Sequence, residues 1–204
     1  MKIKFTIALA AAALVFGLAQ AATVTIDFQA DPTGAKPNGY SPIGHPGVTL
    51  TDTIGADLSV FNGLPVECAA AANNCLSVDG DDTSALQIDF ASVINTLSMD
   101  FGNDDAVFHG GPVWALLQMY LNNVFVADVL MASNNDDIMN QTISYMGAGF
   151  DRAVFAYTDA NKNRINLIEV VDNIAYGTTR IPEPGTLALV GLALAGLGWA
   201  RRKA

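Results

Sequence analysis

Two uncharged apolar runs, one at each end of the 204-residue chain, confine what can fold in water to the stretch between them. At the start, Met1-Lys2-Ile3-Lys4 is basic, Phe5 to Ala19 is apolar, and Ala19-Gln20-Ala21 reads small-x-small, the order of a cleavable export signal. The rival reading is a retained anchor, but the apolar part is short for a span and polar sequence follows at once. At the other end, residues 184–200 carry no charge, and a run of that length sits at the lower edge of what crosses a bilayer as a helix, roughly 17–25 residues. Arg201, Arg202 and Lys203 follow directly and would stay on the cytoplasmic side.

The residues before that run set how the chain enters it. Pro182 and Pro184 remove backbone donors and bias their predecessors towards extended backbone, so the approach is exposed and non-helical. Gly191, Gly196 and Gly198 lower helix propensity in water, yet lipid tolerates them and they permit close helix contacts. A buried core helix is the alternative; three basic residues immediately after an all-round apolar helix suit a membrane better. Pro182-Glu183-Pro184, a glycine-rich apolar helix and a basic cluster, in that order, resemble the PEP-CTERM sorting signal of exopolysaccharide-producing Gram-negative bacteria. The resemblance covers Arg180 to Ala204. It implies recognition by exosortase, a membrane-embedded transpeptidase-like protease, with processing near the Pro-Glu-Pro and release or transfer to the cell surface. Pro182, Glu183 and Pro184 would be the recognition motif, and Arg201, Arg202 and Lys203 the retention cluster. These are substrate residues and bring no catalysis. The expected organisation is a signal peptide over 1–21, a domain over 22–178 and a sorting signal with its transmembrane helix over 179–204. The expected location is an inner-membrane-anchored precursor that ends at the cell surface or outside.

Residues 22–178 are enough for one domain with its own core. They hold Lys36, Arg152, Lys162 and Arg164 against 19 acids, a net charge of −15. Of those acids 17 are Asp, and Glu67 and Glu169 are the two Glu. Asp is a poor helix former but a good turn residue and calcium ligand. Nucleic acid and anionic membrane surfaces are excluded as partners of the domain by this balance. Divalent cations remain.

Cys68 and Cys75 enclose six residues, and in an exported chain such a pair is most simply a disulfide. A metal site would need further soft ligands, and neither His45 nor His109 has a Cys or His neighbour in sequence. The rest reads as strands. T-V-T-I-D-F-Q (23–29) alternates with period two, and a Pro/Gly-rich loop follows from Asp31 to Pro46. Further strands are expected over 47–52, 57–61, 84–90, 93–101, 153–157 and 165–176. Asn122-Asn123 tolerates positive φ and marks a hairpin between W-A-L-L-Q-M-Y-L and V-F-V-A-D-V-L-M; a single long helix is the rival, disfavoured by the β-branched and aromatic content. Short strands with turn-rich links predict an all-β chain, a single jelly-roll-like β-sandwich.

T-I-D-F near the start, L-S-M-D-F-G in the middle and V-V-D-N-I at the end resemble the β-sandwich ectodomains that often precede a PEP-CTERM tail. Similar jelly-roll modules include carbohydrate-binding domains in which an acid of the closing strand helps hold a structural calcium near the first strand. That similarity implies Asp172 as a calcium ligand, with Asp27 beside it if the terminal strands pair.

Four acidic clusters stand out on their own composition. Asp79-Gly80-Asp81-Asp82 combines three carboxylates with a glycine turn, an oxygen cage suited to Ca²⁺. Asp100, Asn103, Asp104 and Asp105 form a second cluster, and Asn134-Asn135-Asp136-Asp137 a third. Asp159-x-Asn161-x-Asn163 mimics an EF-hand start, but Arg164 stands at the required glycine and Val170 at the bidentate glutamate, so that motif fails. For the others the competing reading is a solvated turn, which Asn, Asp and Gly favour for backbone reasons. No G-x-S-x-G, H-E-x-x-H or phosphate loop is present, and nothing singles out a carboxylate pair for glycoside hydrolysis. Trp114, Tyr40, Tyr120, Tyr145 and Tyr157 could serve a sugar platform; context exposes Tyr40 and places the others in strands. The expectation is a non-enzymatic, exosortase-sorted surface or matrix protein with a structural role in the envelope or biofilm. A calcium-assisted carbohydrate-binding module for exopolysaccharide is the alternative, and a secreted hydrolase the least favoured.

Overall fold

The computed structural model describes residues 23–63, 68, 73–80, 82–102 and 110–178. The signal peptide and the sorting motif lie outside the described residues, as do Glu67, Asp81, Asn103, Asp104, Asp105 and His109. Residues Ala21–Thr179 form one compact unit. Among the described residues it is all strand: β1 (Thr23–Ile26), β2 (Gly34–Ala35), β3 (Val48–Asp52), β4 (Leu58–Asn62), β5 (Asn74–Val78), β6 (Leu86–Gly102), β7 (Trp114–Leu121), β8 (Val124–Ala132), β9 (Gln141–Thr158) and β10 (Glu169–Gly177). No helix among the described residues is long and apolar enough to cross a membrane.

Two of these strands decide the architecture. At 17 and 18 residues, β6 and β9 are about three times the usual strand length of roughly five or six. Their mutual register breaks between Asp89 and Ile94, where Ala91, Ser92 and Val93 are exposed. A bulge of this kind bends a strand and lets it change sheets. The first half of β6 pairs with β3 and with the second half of β9, which continues to β7 and β8. The second half of β6 pairs with the first half of β9 and with β10. β5 and β1 then share the other edge of β10, at Glu169–Val171 and Ile174–Gly177, and β4 and β2 extend β5 outward. The result is a sandwich: a first layer β3-β6-β9-β7-β8 and a second layer β2-β4-β5-β10-β6-β9.

Alternation along β6 feeds the core from both layers. Leu86, Ile88 and Phe90 are buried in the first, and Leu97, Met99 and Phe101 in the second. Rings meet across the gap: Phe101 and Phe155 at 5.8 Å, Phe90 and Tyr176 at 5.2 Å. Among the described residues the main core lies entirely between Ile26 and Ile174, so the unit contains what it needs to fold alone.

The Asn122-Asn123 hairpin forms as its residue types predict, with φ of 50° and 64°, the two left-handed residues of a type I′ turn. The segments 84–90 and 93–101, expected as separate strands, are one bent strand. β2, β5 and the first half of β9 were not foreseen. In β9 the inward-phase positions include Gly147 and Gly149, which blur the alternation.

Cys68 and Cys75 form the expected disulfide, with Cα atoms 5.7 Å apart. The pair is buried with Met139 and Val170 on the outer side of the second layer. Closing so short a loop contributes about 2.5 kcal/mol by chain entropy. The Cys68→Ala/Cys75→Ala double variant should therefore melt roughly 5–10 °C lower, read by thermal unfolding; an unchanged midpoint would show that the bridge constrains nothing.

Candidate functional site

The terminal strands pair, and that pairing assembles the acid group implied at the sequence level. Ile26 stands opposite Ile174, which brings Asp27 to the level of Asn173 and beside Asp172. The β10–β6 register breaks between Asp172 and Ala175, and Asn173 has φ 50°. Asp172 is 0% exposed and lies directly opposite Asp100. Its Oδ1 accepts the Asn173 backbone N–H at 2.7 Å, while its Oδ2 has no hydrogen-bond partner among the described residues. Both Asp100 oxygens are occupied, by the Thr142 hydroxyl at 2.6 Å and the Asn173 amide at 2.9 Å. Asp27 is exposed and accepts the Gln29 N–H at 3.1 Å. Burial pushes the Asp172 carboxyl up to about 7; the Asn173 N–H opposes this, and the charges of Asp100 and Asp27 add to it.

The Asp79–Asp82 segment is differently arranged. Asp79 takes the Ser77 hydroxyl and Asp82 the Ser84 N–H, the latter at 2.6 Å, and Asp81 lies outside the described residues. Gly80 instead faces Asp57 and Asp82: a Cβ there would stand 3.3 Å from an oxygen of each. Among the described residues no three His, Cys, Asp or Glu side chains come together as a group that could hold a metal ion. The third cluster is a self-capped turn in which Asp136 accepts from Asn134, Asn140 and the Ile138 N–H. Asp159 likewise accepts from Asn161 and Asn163, and those bonds hold its pKa below the usual value.

Beside the disulfide, Ser59, Ser77 and Val170 stand in register across β4, β5 and β10. With Phe61, Asp79 and Ile168 they line a cleft of about 330 Å³.

The outer face of the first layer holds Tyr120, one of the platform candidates above, with residues that sequence reasoning missed. Leu117 and Met119 of β7 are buried, so Gln118 and Tyr120 point outward. Register aligns Asp89, Arg152, Tyr120 and Phe125 in one row, and Gln87, Val154, Gln118 and Asp128 in the next. Tyr120 and Phe125 pack edge to face at 5.9 Å, with Phe125 53% exposed. Arg152 is paired with Asp89 at 2.6 Å and bonds Asn123 at 2.7 Å. Lys162 is paired with Asp128. The outward phase of Tyr120 was readable from W-A-L-L-Q-M-Y-L; its pairing with Phe125 followed from the hairpin. Tyr40 is no platform. Its hydroxyl is donated to Asp31, its ring is half-buried, and Lys36 lies over it at 5.3 Å.

A bent two-layer sandwich with an aromatic pair on one outer face and a buried acid beside its terminal strands defines a class of architecture rather than a chemistry. Residues 180–203 match the PEP-CTERM protein-sorting motif, so the tail is such a motif and the chain is an exported protein carrying it. Among solved structures, the body is similar to CBM29_1, a family 29 carbohydrate binding module from Piromyces equi, at 13% identity over 78% of this chain and 91% of that one, with a TM-score of 0.41. A DUF4465 family protein from Bacteroides caccae is similar at 13% identity over 76% and 98%, with a TM-score of 0.42. At these scores neither likeness carries a ligand across. No curated protein sequence matches the chain.

Proposed function

We propose that this chain is an exosortase-sorted surface protein whose sandwich binds polysaccharide, without catalysis, on the outer face of its first layer. The observation that supports it is the Tyr120–Phe125 pair, Phe125 exposed and Tyr120 half-buried with no ring partner but Phe125 among the described residues, set among outward Gln118, Gln87 and Arg152 on paired strands. Aromatic faces cover the apolar face of a sugar ring while neighbouring polar groups take its hydroxyls. A purely structural role in the envelope needs no such face.

Calcium assistance is the second part of the reading, supported by the unpartnered, fully buried Asp172 Oδ2 with Asp27 alongside. A hard cation seeks oxygen donors of this kind. Asp172 and Asp27 would hold it, and it would supply charge compensation to the junction of β1 and β10.

Binding of the folded domain to the host's extracted polysaccharide and a glycan panel tests the proposal. The Phe125→Ala variant should bind about tenfold more weakly, roughly 1.4 kcal/mol, with an unchanged melting temperature. If the parent domain binds no glycan, the reading fails and a structural surface role replaces it.

A further inference from the structure

Three of the four cations of residues 22–178, Arg152, Lys162 and Arg164, gather on the outer side of the first layer, in a domain of net charge −15. Arg152 and Lys162 each have an acid partner there, Asp89 and Asp128. Arg164 has none within ion-pair distance among the described residues. Among the described residues its Nη1 reaches the Thr53 hydroxyl at 3.3 Å and the Thr83 carbonyl at 3.5 Å, two long contacts to neutral oxygens. The acid that feels its charge, Glu169, is 1% exposed.

Arg164 and Arg152 line one cleft of about 240 Å³ with Tyr120, Gln87, Asn123 and Thr53. That volume is below the roughly 300–1,000 Å³ of a pocket that takes a whole small ligand, so it suits one substituent of a longer chain. A guanidinium offers a planar fork that matches a carboxylate, and charge-assisted bonds of this kind are about twice as strong as neutral ones. The tyrosine and the two amides add a ring face and neutral donors and acceptors. Nucleic acid needs many phosphates neutralised at once, which this domain does not offer. One carboxylate on an otherwise neutral chain needs a single fork, and at physiological salt the remote acids are screened beyond about 8 Å.

Resting on the glycan-binding reading above, we propose that this cleft takes the carboxylate of a hexuronate, with Arg164 as its principal contact and Arg152 as the second. The domain then selects acidic over neutral sugars along the polysaccharide.

The test is an NMR titration of the folded domain in chelator with methyl β-D-glucuronide and, separately, its neutral counterpart methyl β-D-glucoside. The glucuronide is expected to shift the side-chain Nε–H signals of Arg152 and Arg164 and to bind at least about tenfold more tightly than the glucoside. Arg164→Gln should remove that preference without moving the melting temperature, and Arg164→Lys should keep part of it. Equal responses to the two sugars, no response to the glucuronide, or a preference that survives Arg164→Gln would overturn the inference. If neutral polysaccharide still binds the face in that case, only the acid selectivity is lost; if no polysaccharide binds, the broader reading falls with it.

Discussion

In chelator at pH 7, the Asp172→Asn protein is expected to melt roughly 5–10 °C above the parent chain. The sign follows from linkage. Burial raises the Asp172 carboxyl from an ordinary 3.8 to about 7 in the folded state. Below the ordinary value both states are protonated and the stability is fully present. As pH rises towards 7 the unfolded chain releases its proton first, so stability falls and is lost above the folded value. About 1.36 kcal/mol per pH unit sets an upper bound of about 4 kcal/mol on this loss. Glu169, buried and raised well above its ordinary range, adds a trend of the same sign. The parent domain in chelator should therefore melt higher at pH 5 than at pH 8, and Asp172→Asn should flatten part of that slope. Calcium at a hundred times its dissociation constant would return about 2.7 kcal/mol to the parent. The asparagine variant should gain little. Equal calcium responses in the two proteins would remove the metal from this position, and a variant no more stable than the parent at pH 7 would mean Asp172 is already compensated.

Phe155→Ala is expected to cost about 3–5 kcal/mol and to lower the midpoint by on the order of 10 °C. Phe155 is 0% exposed, and its ring meets Phe101 of the opposite layer and Tyr157 of its own strand at 5.8 and 5.5 Å. Tyr157 in turn donates its hydroxyl to the Gly102 carbonyl at the end of β6. Truncation opens a void between two layers that the shared strands β6 and β9 keep from closing independently. Thermal and urea unfolding would measure it. A loss under 1 kcal/mol would mean that the layers do not depend on this contact.

How far the fold was legible depended on whether a signal was local. Asn122-Asn123 fixes a two-residue turn by its own backbone preference, so the hairpin could be read directly. The six-residue spacing of Cys68 and Cys75 did the same for the disulfide. Asp172 and Asp27 came to one level because β1 pairs with β10 and places Ile26 opposite Ile174, a pairing that the likeness to carbohydrate-binding jelly rolls suggested and that no local pattern announced. The bend at Ala91–Val93 was invisible, since Ala-Ser-Val carries no turn residue of its own and only the shift in alternation phase marks it, which looks the same whether the strand ends or changes layers. Gln141–Arg152 escaped for a related reason: Gly147 and Gly149 interrupt the pattern. The acidic turns around Asp136 and Asp159 satisfy themselves, as their residue types allow. Gln87, Tyr120, Arg152 and Arg164 are scattered along the chain, and only the register of β6, β9 and β7 makes them neighbours, so no spacing could have announced the cleft.

The position of β10 also has a mechanical consequence. A chain gripped through its C-terminal end transmits tension first into Gly177. From there β10 is bonded along both edges, to β6 on one side and to β1 and β5 on the other. Traction along the strand therefore loads parallel rows of backbone bonds in shear, all at once, instead of peeling them open in sequence. Tension applied at this end therefore enters the sandwich through one of its most embedded strands and is shared at once by both of that strand's neighbours.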